Sequence, residues 1–171
     1  GAGFVPRIRA NALRDLGACI SPFHAWLLIQ GLESLSLRIE RHVANAQKIA
    51  DFLENHPKVA KVNYPSLSSS PYYKLAQKYF PKGTGSIFSF ELKDGYAAAR
   101  KFIDNADIFS DLANVGDSKS LLVHPASTTH QQLSEEAQRA CGITPGTIRI
   151  SVGLENIEDL LAAVEKALET I

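Results

Sequence analysis

From Leu32 onward the apolar positions step by threes and fours. Leu32, Leu35, Ile39, Val43, Ala46, Ile49 and Leu53 share one helical face, and Glu33, Arg41, Asn45 and Lys48 fall on the opposite one, which the pattern assigns to solvent. Ser21-Pro22 supplies a start signal, with serine as N-cap and proline at the first helical position. His56-Pro57 supplies the stop, because the residue before a proline avoids the helical region. The pattern therefore predicts one helix over 21–56, roughly 50 Å long at about 1.5 Å per residue, with Gly31 as the place where it would bend. Such a rod suits a link between two domains better than the core of one. Residues 1–20 show no clear periodicity and are expected to be a lead-in segment.

Beyond Pro57 the period changes. Val59 to Tyr64 reads as a strand, the serine-rich stretch from Leu67 to Pro71 as a loop, and 72–80 as a short helix. After the Gly83-Thr84-Gly85 turn, Ser86 to Leu92 alternates as a strand, with Ile87, Ser89 and Glu91 opposite Phe88, Phe90 and Leu92. Residues 95–104 and 132–140 read as helices, and the apolar runs at 108–113, 120–124 and 147–152 as strands. Residues 156–170 form an amphipathic terminal helix capped by Asn156. Strands interleaved with helices predict an α/β or α+β sandwich over 57–171.

Composition narrows the classes. The 171 residues are 45% hydrophobic and 21% charged, which is ordinary for a globular domain with a real core. Lysine plus arginine equals aspartate plus glutamate at 18 each, so nothing draws the chain to nucleic acid or an anionic membrane, and neither partner is expected. No apolar run approaches the roughly 20 residues that span a bilayer. Cys19 and Cys141 form no C-x-x-C pair and are expected to be free, buried or partly buried thiols of a reducing, cytoplasmic protein. The chain has no methionine, and Gly1-Ala2-Gly3 reads as a cloning scar on a piece of something longer.

The sequence has no G-x-S-x-G, H-E-x-x-H, G-x-x-x-x-G-K or G-x-G-x-x-G, and its five histidines lack metal-ligand spacing. A self-contained hydrolase, metalloenzyme or nucleotide enzyme is not expected. Two segments remain. In Thr147 to Gly153, Ile148, Ile150 and Val152 face one side of a strand and Arg149 and Ser151 the other. Arg149 either meets a carboxylate or phosphate, which its planar fork grips at two points, or lies on a solvated sheet face, the commoner fate. The second segment, Leu112 to His130, sets amide, hydroxyl and small side chains between two apolar runs, a composition that builds polar pockets or simply a turn. For His124 and His130, polar contacts to backbone are the default expectation.

The run Asn114-Val-Gly-Asp, then Ser120-Leu, then His124-Pro-Ala-Ser-x-Thr129-His130, followed by Ile148-Arg149-Ile-Ser-Val-Gly-Leu-Glu155, resembles the pyridoxal-phosphate enzymes of cysteine and methionine metabolism. That family includes cystathionine synthases and lyases, methionine lyase and O-acetylhomoserine sulfhydrylase. Gln30-Gly-Leu-Glu-Ser-Leu and Arg38-x-Glu-Arg-His42-x-x-Asn45-Ala fit as well, and the likeness runs from about residue 11 onward. Thr128-Thr-His-Gln-Gln-Leu133 and Asn114, where lyases more often carry serine, are similar to the O-acetylhomoserine sulfhydrylase branch.

The resemblance implies the small C-terminal domain of a fold-type-I enzyme, with a long lead-in helix and a mainly antiparallel sheet covered by helices. It implies that Arg149 clamps the substrate α-carboxylate, that Asn114 assists, and that Thr129 lines the same pocket. The substrate would be a small amino acid, the parent a cytoplasmic homotetramer, and the cofactor pyridoxal 5'-phosphate, bound mainly by a large domain upstream. The family's Schiff-base lysine lies in Ser-x-Thr-Lys, which this sequence lacks. The chain is thus expected to hold neither a catalytic nor a cofactor-binding residue and to be inactive alone. The alternatives are a cystathionine γ-synthase, a methionine γ-lyase, or a non-catalytic binding or oligomerisation module.

Overall fold

A computed structural model of the chain describes residues 3–171. The expected scar at 1–3 falls almost wholly outside them. The chain divides into two compact units, one ending at Ser36 and the other running from Leu37 to Ile171.

The first unit is helical from near its start. Helix α1 (Phe4–Arg7) passes through a π-helical stretch (Ile8–Leu13) into α2 (Arg14–Leu16). Gly17 ends the run at φ 71°, a left-handed conformation that glycine adopts without a Cβ clash. The sequence pattern missed this helix because one wide π turn spoils a 3.6-residue period. Helix α3 (Pro22–Glu33) starts as expected, with the Ser21 hydroxyl accepting from the His24 N–H at 3.2 Å.

The single helix expected over 21–56 is two. The break is at Ser34 (φ −105°, ψ 10°) rather than at Gly31, and α4 (Leu35–Glu54) follows it. The apolar stripe is also only half used: Ala46, Ile49 and Leu53 are fully buried, whereas Leu35 and Ile39 remain exposed.

The second unit is a five-stranded sheet with helices. Its elements are β1 (Val59–Asn63), α5 (Tyr73–Tyr79), β2 (Ile87–Leu92), α6 (Gly95–Asn105), β3 (Ser110–Asp111), β4 (Leu121–Val123), α7 (Glu135–Ala140), β5 (Thr147–Ser151) and α8 (Ile157–Glu169). The order in space is β1-β2-β5-β4-β3, antiparallel except for the β3–β4 pair. The mixed α/β class and the mainly antiparallel sheet are therefore as expected.

The core lies on one face of this sheet. Phe88, Phe90 and Leu92 of β2 and Ile148 and Ile150 of β5 meet Ile49 and Leu53 of α4, Phe102 of α6 and Leu160, Val164 and Leu168 of α8. The alternation read from the sequence is the alternation found: Phe88, Phe90 and Leu92 are buried and their neighbours on β2 are not. Phe90 meets Phe102 edge-on at 5.6 Å between centroids, a favoured aromatic geometry.

Asn45 departs from its assigned solvent face. It is 2% exposed, and its amide donates to Gly153 O at 3.1 Å and Glu155 O at 3.0 Å. His42, also buried, meets Val152 O through Nδ1 at 2.6 Å. The two residues sit three apart and reach the same chain segment from one helix flank. Both cysteines are free, but they are exposed rather than buried, Cys19 beyond the first helical run and Cys141 at the C-terminus of α7.

Candidate carboxylate-binding site

The sheet face opposite the core carries the polar residues of β5. Arg149 occupies the middle of that strand, paired across to Ser89 on β2 and to Val123 on β4. Thr147 and Ser151, its neighbours on that face, are buried, which the sequence did not reveal. Arg149 itself is half-buried. Its Nη2 donates to the Asn114 carbonyl at 3.2 Å. Among the described residues its guanidinium has no carboxylate partner.

A cavity of about 490 Å³ opens beside this guanidinium. It is lined by Ser89, Pro125, His130, Cys141, Thr147 and Arg149, with further contributions from β1 and β2. Its charged lining residue is a cation, flanked by hydroxyl and imidazole groups. That set suits a small ligand bearing a carboxylate. Among the described residues no group of histidine, cysteine and carboxylate side chains could hold a metal ion.

The structure brings two of the three residues singled out from the sequence into contact, by an unexpected atom. Asn114 meets Arg149 through its backbone carbonyl, while its side chain is turned to its own loop: Oδ1 accepts from the Val115 N–H at 2.8 Å and Nδ2 donates to Asp117 at 3.4 Å. Thr129 is exposed, its hydroxyl 2.8 Å from His130 Nδ1, and His130 is the partner that lines the cavity. Sequence reasoning did not assign Ser89 or Cys141 to the site. The alternation on β2 put Ser89 on the correct face; nothing in the pattern placed Cys141.

His124 is a strut beneath this face. Pro145 O can only accept, so Nε2–H donates to it at 2.9 Å, and the remaining Nδ1 lone pair accepts from the Ser127 hydroxyl at 2.8 Å. Arg100 in turn donates to Ser127 Oγ at 3.3 Å. Burial, opposed by the Pro145 hydrogen bond, holds the imidazole pKa below its ordinary value. The strut ties the turn that leads to Thr129 and His130 to the loop that leads into β5.

Comparison with known proteins matches residues 6–169 to the Cys/Met metabolism PLP-dependent enzyme family. An O-acetyl-L-homoserine sulfhydrylase from Leptospira meyeri is 54% identical over 169 residues, 98% of this chain and 38% of the relative. Among solved structures, a putative O-acetylhomoserine (thiol)-lyase from Campylobacter jejuni, crystallised with N'-pyridoxyl-lysine-5'-monophosphate, superposes with a TM-score of 0.88 at 52% identity, over 96% of this chain and 39% of that one. A cystathionine γ-synthase from Xanthomonas oryzae, in complex with cystathionine, gives 0.81 at 41% identity, over 90% and 40%. The chain thus spans about two-fifths of the length of the proteins it matches.

Proposed function

Because the chain belongs to the Cys/Met metabolism family of PLP-dependent enzymes, we propose that it is the substrate-carboxylate-binding part of an O-acetylhomoserine sulfhydrylase. The reaction is replacement of the acetoxy group of O-acetylhomoserine by sulfide or a thiol, giving homocysteine or methionine and acetate. The observation that carries the reading is Arg149, a half-buried cation beside a cavity, with no carboxylate partner among the described residues.

The family's cofactor is pyridoxal phosphate. It supplies an electron sink when bound. The cavity at Arg149 has no lysine to bond it and no carboxylate to hold a ring nitrogen. These residues suit the amino-acid substrate rather than the cofactor, and on this reading the chain is inactive by itself. Arg149 grips the α-carboxylate at two points, Asn114 steadies the guanidinium, and Thr129 borders the pocket beside His130. Fixing the carboxylate sets which substrate bond stands ready to break. The parent enzyme is proposed to be a cytoplasmic homotetramer, with 21–56 linking this domain to a larger one. The sulfhydrylase branch is favoured over cystathionine γ-synthase or methionine γ-lyase by Asn114, where lyases more often carry serine.

The test is steady-state kinetics on the full-length enzyme carrying this sequence. Hydrogen bonds to charged groups contribute about 1.5–3 kcal/mol each, so Arg149→Ala should lower kcat/KM by on the order of ten- to a thousandfold. Cofactor content and melting temperature should hold. Arg149→Lys should recover part, since an ammonium cannot reproduce the fork. Near-normal kcat/KM in Arg149→Ala would make the residue structural and sink the assignment.

A further inference from the structure

The chain leaving β5 is held by hydrogen bonds that converge on one carboxylate. Ser120 is fully buried. Its N–H donates to Glu155 Oε1 at 2.7 Å and its hydroxyl to Glu155 Oε2 at 2.8 Å. The same hydroxyl oxygen accepts from the Gly153 N–H at 2.7 Å, and the Leu154 N–H donates to Ser118 O at 2.9 Å. The two segments lie so close that a Cβ on Gly153 would stand 2.5 Å from both Ser118 O and Ser120 N and would strike the Glu155 carboxylate. His42 and Asn45 hold Val152, Gly153 and Glu155 from the α4 side.

The segment pinned in this way is the loop whose Asn114 carbonyl receives the Arg149 guanidinium. At its start, the Leu112 N–H bonds to Leu122 O at 3.2 Å. Between the two anchors, Asn114 to Gly116 are exposed and Asp117 is half-buried, and the Asn114 and Asp117 side chains bond within the loop. The position of the Asn114 carbonyl therefore depends on the anchors, and the stronger anchor is the charge-assisted pair of bonds from Ser120 to Glu155.

We propose that Glu155 is a positioning residue for substrate binding: by gripping Ser120 with both carboxylate oxygens it fixes the 112–120 loop, and through the Asn114 carbonyl it fixes the direction of the Arg149 fork. The inference rests on the reading of Arg149 as the carboxylate clamp. Glu155 hydrogen-bonds with Ser120 and Asn45, neither of which lines the cavity. It acts because a guanidinium–carboxylate contact is planar and two-pointed, so a fork that swings free of its carbonyl loses affinity while the sheet stays intact.

The experiment is a double-mutant cycle in the full-length enzyme loaded with pyridoxal phosphate: Glu155→Gln, Ser120→Ala, Arg149→Ala and the Glu155→Gln/Arg149→Ala pair. Residues that act through a packed network shift coupling to a ligand by a factor of about 2 to 30. Glu155→Gln and Ser120→Ala should therefore each raise KM for the amino-acid substrate within that range, with kcat changed less and cofactor occupancy unchanged. Amide exchange across 112–120 should quicken in both. In the Arg149→Ala background Glu155→Gln should add nothing to KM, since the group it aims is gone. Full additivity in the cycle, or a KM unchanged while only melting temperature falls, overturns the positioning role and leaves the clamp standing. A normal KM in Arg149→Ala itself overturns both.

Discussion

Replacing Asn45 by alanine separates the helical pattern from the packing actually found. The pattern put Asn45 on the same solvent face as Lys48; in the structure Lys48 is exposed and Asn45 is 2% exposed, with its amide on two carbonyls. Gly153 is buried, so its carbonyl has no route to water once the amide is removed, and a buried acceptor left unpaired costs about 1–3 kcal/mol. Glu155 is half-buried; its carbonyl can be rehydrated and should lose only the net value of one hydrogen bond, about 0.5–1.5 kcal/mol. Together these predict a loss of about 2–4 kcal/mol. Urea titration followed by circular dichroism is the assay. With a slope of about 2 kcal/mol per molar, the midpoint should fall by roughly 1–2 M at unchanged slope. Lys48→Ala, the control, should stay within about 0.5 kcal/mol of the parent. Asn45→Asp should be worse than alanine, because it turns a carboxylate toward two carbonyl oxygens. If Asn45→Ala proved as mild as Lys48→Ala, the clamp on the strand exit would carry no energy and the reasoning would fail.

Three further outcomes follow from the same geometry. His124 is held neutral by burial, with its pKa below the ordinary value, so the unfolded chain takes up the proton first. Stability from this residue is complete above a pH of about 6.5 and is lost as pH falls through the folded pKa. Urea midpoints measured between pH 7 and 5 should show this acid-side loss, and His124→Gln should flatten it. Phe102, fully buried against Phe90, should cost about 3–5 kcal/mol when cut to alanine, read as a fall in melting temperature. Helix α3 has no buried residue and exposes Phe23, Trp26, Leu28 and Leu32, so this chain alone should bind a dye for apolar surface and self-associate on light scattering. A clean monomer without dye binding would count against that.

Much of the fold was legible because its signals are local. The Phe88-Phe90-Leu92 alternation, the Ser21 and Asn156 caps and the β-branched run around Arg149 each act within a few residues, and each is found. What stayed hidden depends on distant chain. Ser151 was assigned with Arg149 to the face opposite the isoleucines, and its burial beside Leu121 of β4 appears only once the sheet is assembled. The roles of Asn45 and Glu155 need partners 108 and 35 residues away. Arg149 was visible as a candidate from the strand pattern, but that pattern left it between a surface ion pair and a ligand clamp. Its lack of a carboxylate partner among the described residues is a fact of three dimensions.

The sheet order has a consequence for how the chain is made. Among the described residues β5 follows the other four strands in chain order, yet it sits at the centre, between β2 and β4. Until it emerges, the β1–β2 pair and the short β3–β4 pair have no shared partner, and each offers an unpaired edge to any neighbouring chain. Closing the sheet also requires contacts between residues far apart in sequence, which slows folding. Nascent chains stalled before Thr147 should therefore be protease-sensitive and prone to misassembly. Protection should appear in one step as β5 and α8 clear the exit tunnel, and not gradually along the chain.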